Sequence, residues 1–557
     1  MTKRAGAALL LATAALFLIA NRASYKGYFQ DDELNNISWT RDIPALDYGK
    51  AILTPKFFTN NFRPVGHYYY REMSLRYGLD FPKYLPIMHL AHILNIWLLW
   101  LLARQLGLAV LPASLGTLFF AFNMAVFEVY WKPMYVFDLF CTTLALACFL
   151  LYTRRRYVLS FCAFWLAYKS KELAVMVPVA LLCYEFWLAE EKKWWPLIPF
   201  FAVSLSFGLQ GVMLNPNVDN DYTFRFTPQA VWTSLSFYSS RILLIPYAGF
   251  ALLALPLAVR DRRLWFGCAM LCLFFIPLMF LPGRLYSAYC YLPLTGVALM
   301  FATMAERKAL TPLVALLCVA WIPWNIAELR RSRSQTLAID NENRTYVAAL
   351  ADFARKSKNT RAFVYDGRPE ALHVWGIEGA LYYLWGRQPE LFAIEDKGSA
   401  EALRREDVAQ LKWSPNTRVL TVTSSKADTA YLSMNLDTPL WAFGPGWYNQ
   451  EAAFRWSAPQ ASAMLTRPAA ARQFELMVNL PPQQLKDTGP ITVAVKLNGV
   501  EIGKCRLTSS GTQTFHWPAP NSGPDRVKVD IDVTPGYQPS NGDTRRLGIA
   551  VVGLGFR

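Results

Sequence analysis

The sequence predicts a polytopic α-helical membrane protein with a C-terminal soluble region that ends in a β-sandwich. Three observations carry this. The 557-residue chain is 54% hydrophobic and only 17% charged, and its apolar residues cluster in the first 330 positions. Basic residues in that part fall in short turns between apolar runs. After about residue 445 the pattern changes to short alternating strands separated by turn residues.

Apolar runs of roughly 17 residues or more, bounded by charge or proline, mark about eleven spans. They fall near 5–21, 84–103, 108–127, 138–153, 157–169, 173–189, 195–214, 242–259, 264–281, 290–305 and 310–327. The first is long enough to span and no clear small-residue cleavage site follows it, so it reads as a retained helix and not a signal peptide. With this count Lys3-Arg4, Arg104, Arg154-Arg155-Arg156, Lys192-Lys193, Arg260/Arg262/Arg263 and Arg307-Lys308 share one side, which the positive-inside rule makes cytoplasmic. The first loop (22–83), the turns at 128–138, 169–172 and 283–289, the 215–241 loop and the whole tail then lie on the opposite face.

A net charge of +16 and a pI near 9.4 would point to nucleic acid in a soluble chain. Here the alternation of charge across the spans accounts for much of it, and no nucleic-acid partner is expected. Of nine cysteines, only Cys505 lies in the tail, and neither metal spacing nor a disulfide framework is present.

The chain divides into a membrane domain (1–330), an α/β region (331–444) and a β-rich module (445–557). In the middle region a polar helical stretch runs from Asn341 to Lys356, with strands at Arg361–Tyr365 and Arg418–Thr423. The module's strands are Phe474–Asn479, Ile491–Leu497, Cys505–Thr508, Thr514–His516 and Val527–Val533, with Asn498-Gly499 as a hairpin turn.

The candidate chemistry begins at Tyr28-Phe29-Gln30-Asp31-Asp32-Glu33-Leu34. Three adjacent carboxylates cannot sit in hydrocarbon, so they lie just beyond the first span. They are either a solvated loop with a helix N-cap at Asp31 or Asp32, or they serve a cation or a proton transfer, and Glu33 is the one expected to be solvated. On the same face, Lys169, Lys171 and Glu172 interrupt an apolar stretch, either as snorkelling lysines or as a phosphate site. Arg284, in Leu281-Pro282-Gly283-Arg284-Leu285-Tyr286, suits bidentate phosphate contacts or anchors the interface with Tyr286, Tyr289 and Tyr291.

Arg63-Pro64 and His67 lie in the first loop. His89, His92 and Asn95 recur at helical spacing in the second span, where interhelical hydrogen bonds are the plain expectation. Glu128, Lys132 and Asp138 flank a turn that either is solvated or orients an acceptor or cation. Carboxylates and cations sharing one membrane face fit transfer of a group from a lipid-linked phosphate: the carboxylate takes a proton and the cations offset the charge on the leaving phosphate.

The order of these signals resembles the GT-C class of integral-membrane glycosyltransferases. They run Phe29-Gln30-Asp31-Asp32, Phe62-Arg63-Pro64, the His89/His92/Asn95 helix, Phe119-Phe120-Ala121-Phe122 leading to Glu128, Tyr168-Lys169-Ser170-Lys171-Glu172 before Val177-Pro178, and Gly283-Arg284-Leu285-Tyr286 before Tyr291-Leu292-Pro293. The pattern is most similar to the branch of transmembrane O-mannosyltransferases and their bacterial relatives. It departs from that branch at Asn123, where a histidine is usual, and in having no TPR repeats in the tail.

The resemblance implies an inverting transfer from a polyprenyl-phosphate sugar to a protein, lipid or glycan acceptor, with Asp31 or Asp32 as general base. Lys169, Lys171 and Arg284 would bind the lipid phosphate. Glu128, with Arg63, His67 and Glu172, would form an acceptor or second acidic site. Some relatives hold a divalent cation near the acidic motif, so Mg or Mn on Asp31 and Glu128 is an implied cofactor. The implied location is a bacterial inner membrane, with the N-terminus cytoplasmic and the tail periplasmic. The tail runs Gly446-Trp447-Tyr448 and Phe454-Arg455-Trp456 resemble a sandwich module appended to bacterial glycosyltransferases; their aromatics either stack on sugars or are core. The competing functions are a transporter or flippase of a lipid-linked glycan, which paired half-sequences would mark and none are found, and a membrane-anchored glycan-binding module.

Overall fold

The structure is a computed structural model that describes residues 3–557 apart from 57, 59–60, 215–220, 404, 406, 425–428, 435–441, 452, 521–522 and 541. Part of the expected 215–241 loop therefore lies outside the described residues. The chain forms two compact units, one of Met1–Arg344 with Ala371–Tyr383, the other of Thr345–Glu370 with Leu384–Arg557.

In the first unit the apolar runs are helical: Lys3–Asn21, Leu85–Gln105, Val110–Ala121, Val136–Thr153, Tyr157–Ser170, Val177–Trp187, Ile198–Leu214, Ala251–Ala258, Arg262–Met279 and Pro293–Glu306. Among the described residues five helical segments are long and apolar enough to cross a membrane: Arg4–Lys26, Phe81–Gln105, Pro133–Thr153, Arg262–Met279 and Thr311–Lys356. Several expected spans are shorter as helices because their ends tighten into 3₁₀ turns. Glu172–Met176 is such a turn, and Pro178 then opens the helix Val177–Trp187. The last expected span, 310–327, instead belongs to a helix of 46 residues, Thr311–Lys356. No glycine or proline follows Pro323 in it, so nothing in the sequence stops the helix where the apolar residues end.

The histidines of the second span are satisfied by neighbours. His92 Nδ1 lies 2.6 Å from the Tyr291 hydroxyl, and Asn95 Nδ2 donates to the same hydroxyl at 3.1 Å. His89 lies 3.3 Å from the Tyr25 hydroxyl.

The first loop folds onto this bundle. Asp31–Thr40 is a helix capped not by Asp31 or Asp32 but by Gln30, whose backbone N–H donates to Glu33 Oε2 at 2.6 Å. Asp31, Asp32 and Glu33 thus occupy the first turn, where the helix dipole favours negative charge. A buried ion pair between Lys132 and Asp340 fixes the strand of chain that leads into it. Asp340 Oδ2 accepts from Tyr28 N–H at 3.1 Å, and Lys132 Nζ donates to the Tyr28 carbonyl at 3.2 Å. The expected solvated turn at Lys132 is therefore an interior contact, with Lys132 3% and Asp340 1% exposed.

The second unit has an α/β part and a β-rich part. Strands β1 (Ala362–Asp366), β2 (Glu390–Ala393), β3 (Val408–Ser414) and β4 (Val419–Ser424) form one sheet in the order β2-β1-β3-β4, parallel across the first three. Strands β5 (Tyr431–Ser433), β6 (Trp447–Glu451), β7 (Phe454–Ser457), β8 (Gln460–Thr466), β9 (Gln473–Leu480), β10 (Ile491–Leu497), β11 (Val500–Leu507), β12 (Gly511–Pro518), β13 (Arg526–Thr534) and β14 (Ala550–Phe556) form two more. Their orders are β11-β10-β13-β8 and β12-β9-β14-β7-β6, with β5 beside β14. Alternate residues of both sheets meet in one core, among them Leu476, Val478, Val493, Val495, Val529 and Ile531. Asn498 and Gly499 both take positive φ in the β10–β11 turn, as the hairpin reading required. Trp456 is buried with Tyr537, Leu547 and Ala550, and Trp447 Nε1 donates to the Ser462 carbonyl, so both tryptophans serve packing.

Removing one member of the Lys132–Asp340 pair strands the other charge. Asp340→Asn or Lys132→Met alone should destabilise the protein by about 3–5 kcal/mol, and Lys132→Met with Asp340→Leu should recover most of that loss. Thermal unfolding in detergent measures both.

Candidate functional site

The acidic helix and its surroundings sort the expected site residues into committed and available groups. Glu33, expected to be the solvated acid, is fully buried. Its second oxygen, Oε1, accepts from Met134 N–H at 3.0 Å. Burial pushes its carboxyl up to about 7, against Lys132 and the two backbone donors. It is a structural group.

Asp31 is engaged by a segment 342 residues away in sequence. Its Oδ1 accepts from His373 N–H at 2.6 Å and its Oδ2 from His373 Nδ1 at 2.6 Å. A carboxylate only accepts, so the imidazole proton sits on Nδ1. His373 stacks on Trp375, with ring centres 4.5 Å apart, and Trp375 Nε1 donates to Asp32 Oδ1 at 3.2 Å. These rings stand at the start of the helix Val374–Trp385, which docks on the acidic helix through two glycines. A Cβ on Gly376 would meet Asp31 Cα at 2.9 Å, and one on Gly379 would meet Asn35 N at 2.5 Å. Tyr382 adds a hydrogen bond to Asp42 at 2.8 Å. Nothing in the local sequence around His373 announces this contact; the unusual feature is an aromatic pair, His373 and Trp375, directly before a Gly-x-x-Gly spacing.

Asp32 is the exposed acid of the three. Partial burial raises its carboxyl pKa and Asp31 adds to this, while Trp375, Arg284 and Arg63 oppose it. Both guanidiniums are therefore within electrostatic reach of Asp32.

They also line a cavity of about 340 Å³. Its walls are apolar, from Phe207, Gly211, Leu214, Pro277 and Leu281, and one end carries Arg63, Lys171, Glu172 and Arg284. The charges there are unequally committed. Arg63 Nε donates to Glu172 at 2.9 and 3.1 Å. Burial alone would raise Glu172, but Arg63 more than offsets it and holds the carboxyl below its usual value. Lys171 pairs with Asp138 at 2.5 Å and lies over the Tyr289 ring. Arg284 donates to the Tyr289 hydroxyl at 3.1 Å and stacks over Tyr222, and among the described residues no carboxylate pairs with it. Among the described residues Arg284 is thus the cation lining this cavity that has no carboxylate partner.

Three expected site residues lie elsewhere or inward. Lys169 donates to the Thr54 carbonyl at 2.6 Å and lies over the outer side of the cavity, against the Phe207 ring and in a small pocket with Arg63 and Glu172. His67 is buried between Phe62, Trp39 and Phe137, and its Nδ1 accepts from Arg63 N–H at 2.9 Å. Burial and Arg63 hold it well below the usual histidine value, so it is neutral and positions the Arg63 backbone. Glu128 lines a separate cavity of about 800 Å³ with Arg241, Ser236, Ser240, Ser287 and Glu328.

The residues implied to hold a divalent cation, Asp31 and Glu128, are not brought together. Both oxygens of Asp31 are taken by His373, Glu128 faces another cavity, and among the described residues no three His, Cys, Asp or Glu gather as a metal set.

No family model matches the sequence, and no curated protein matches it. Among solved structures, two of ArnT from Cupriavidus metallidurans are similar, one bound to undecaprenyl phosphate and one in the apo state. Each is 12% identical with a TM-score of 0.43; they cover 75% and 74% of this chain, and 94% of the ArnT chain in both cases. A likeness at that level carries neither fold nor function, which rest on the geometry above.

Glu33 has a folded-state pKa above its unfolded value. Its stabilising contribution is therefore present below about 4.5 and lost as pH rises through about 7. Glu33→Gln, always neutral, should lose one backbone hydrogen bond and also flatten the stability slope between pH 5 and 8. Thermal unfolding of both proteins at the two pH values checks this; parallel slopes would contradict it.

Proposed function

We propose that this protein is an integral-membrane glycosyltransferase of the GT-C type that moves a sugar from a polyprenyl-phosphate donor to an acceptor hydroxyl with inversion. The observation that carries the reading is the cavity whose apolar walls end in Arg63, Lys171 and Arg284, with Asp32 in electrostatic reach of two of those cations. A prenyl chain needs an apolar wall and its phosphate needs a cation not already neutralised. Phe207, Leu214, Pro277 and Leu281 supply the first, and Arg284 the second.

In the reaction a carboxylate of the acidic pair takes the acceptor's proton while the acceptor oxygen attacks the anomeric carbon. The carbon–oxygen bond to phosphate breaks, and its electron pair leaves on polyprenyl phosphate. Arg284 stabilises that developing charge directly. Arg63 and Lys171 arrive already paired, so their role is to shape the phosphate end and hold Glu172 and Asp138. Lys169, which donates to the Thr54 carbonyl and lies over Phe207, shapes the outer side of the cavity wall. The acceptor is a protein, lipid or glycan hydroxyl, and the tail is read as periplasmic, beyond a bacterial inner membrane.

Release of polyprenyl phosphate from a panel of short-chain polyprenyl-phosphate hexoses and pentoses, with native membranes as acceptor source, tests this. Asp31→Asn with Asp32→Asn should abolish release, and full activity in the double variant would sink the reading. Because the Asp32 carboxyl is raised and must be ionised to act as a base, the rate should fall on acidification at a pH above the ordinary aspartate value of about 3.9.

A further inference from the structure

The two aspartates of the acidic motif are not equivalent, and the segment Ala371–Tyr383 makes them so different that their roles separate. His373 donates to both oxygens of Asp31, through its backbone N–H and through Nδ1. Asp31 is mostly covered, with 14% of its side chain exposed, whereas Asp32 is exposed. Asp32 receives one hydrogen bond, from Trp375 to Oδ1, and among the described residues its Oδ2 accepts none. Arg63 and Arg284, two of the cations of the apolar cavity, also act on Asp32.

We propose that Asp32 is the proton acceptor of the transfer and that His373 is a positioning residue, which fixes Asp31 as an orienting group and so sets the direction of Asp32. The inference rests on the glycosyltransferase reading and deepens it by assigning the base. Asp31 begins the helix, so anchoring its side chain and backbone fixes the rotation of the first turn, and with it the direction of its neighbour. The glycine contacts serve the same end. With no Cβ at Gly376 or Gly379, the helix Val374–Trp385 approaches the acidic helix backbone to backbone, close enough for His373 to grip Asp31 at both oxygens. In the step itself the acceptor O–H bond breaks, its proton goes to Asp32 Oδ2, the oxygen bonds the anomeric carbon, and polyprenyl phosphate departs with the electron pair of the broken bond. His373 exchanges no proton with the acceptor.

That last point separates a positioning role from a catalytic one. The side-chain amide of asparagine can present an N–H where imidazole presents Nδ1–H, but it carries no basic nitrogen at the Nε2 position. His373→Asn should therefore keep polyprenyl-phosphate release within about threefold of wild type. His373→Ala should lower kcat about 10- to 30-fold with little change in donor KM. Asp32→Asn should lower kcat by at least a hundredfold, and Asp31→Asn by an amount close to that of His373→Ala. Retained binding of undecaprenyl phosphate by each variant shows that it is folded. The proposal is overturned if His373→Ala matches wild type, if His373→Asn loses as much as His373→Ala, or if Asp31→Asn is as damaging as Asp32→Asn. If wild type releases polyprenyl phosphate from no donor in the panel, the glycosyltransferase reading itself has failed.

Discussion

Removal of charge from water governs how this chain is built around its acidic loop. Lys132 and Asp340 come from positions 208 residues apart and meet where neither is solvated. Such a pair persists only when the remaining donors and acceptors of both groups are met, and here the backbone of Tyr28 meets them from both sides. The chain entering the acidic helix is thereby fixed before any of the three acids is considered. Glu33, facing inward, completes the anchorage by accepting from Gln30 and Met134.

The same constraint sorts the cavity. Among the described residues at its polar end, Arg63 and Lys171 are spent on Glu172 and Asp138. A paired cation has little net field to offer a phosphate, whereas Arg284 has an aromatic bed and a tyrosine hydroxyl and keeps its charge. Among the described residues that line the cavity, pairing thus leaves Arg284 as the cation without a carboxylate, beside the end of an apolar wall.

Hydropathy made the apolar helices legible, since each expected span overlaps helical residues, although the one at 242–259 is interrupted at 243–247. The hairpin at Asn498-Gly499 was equally plain, because a turn of that type needs residues that tolerate positive φ. The acidic motif, Arg63, Lys171, Glu172 and Arg284 were visible as charges that interrupt apolar sequence. Their pairings were not, because periodicity says which face a residue takes and not which distant residue meets it. Glu33 is the clearest case: as the third of three acids it reads as solvated, yet its place at the third position of a capped helix turns it into the interior. His373 was missed for the same reason, since it reaches Asp31 only through a distant helix that packs through its own two glycines.

The central claim is that the apolar cavity holds a polyprenyl phosphate with its anion at Arg284 and within reach of the acidic pair. An experimental structure of the protein with undecaprenyl phosphate bound tests it most directly. The account predicts the phosphate within hydrogen-bonding distance of the Arg284 guanidinium and the prenyl chain along Phe207–Leu214 and Pro277–Leu281. A phosphate seated on Lys169 or in the cavity of Glu128 and Arg241, with Arg284 untouched, would contradict it.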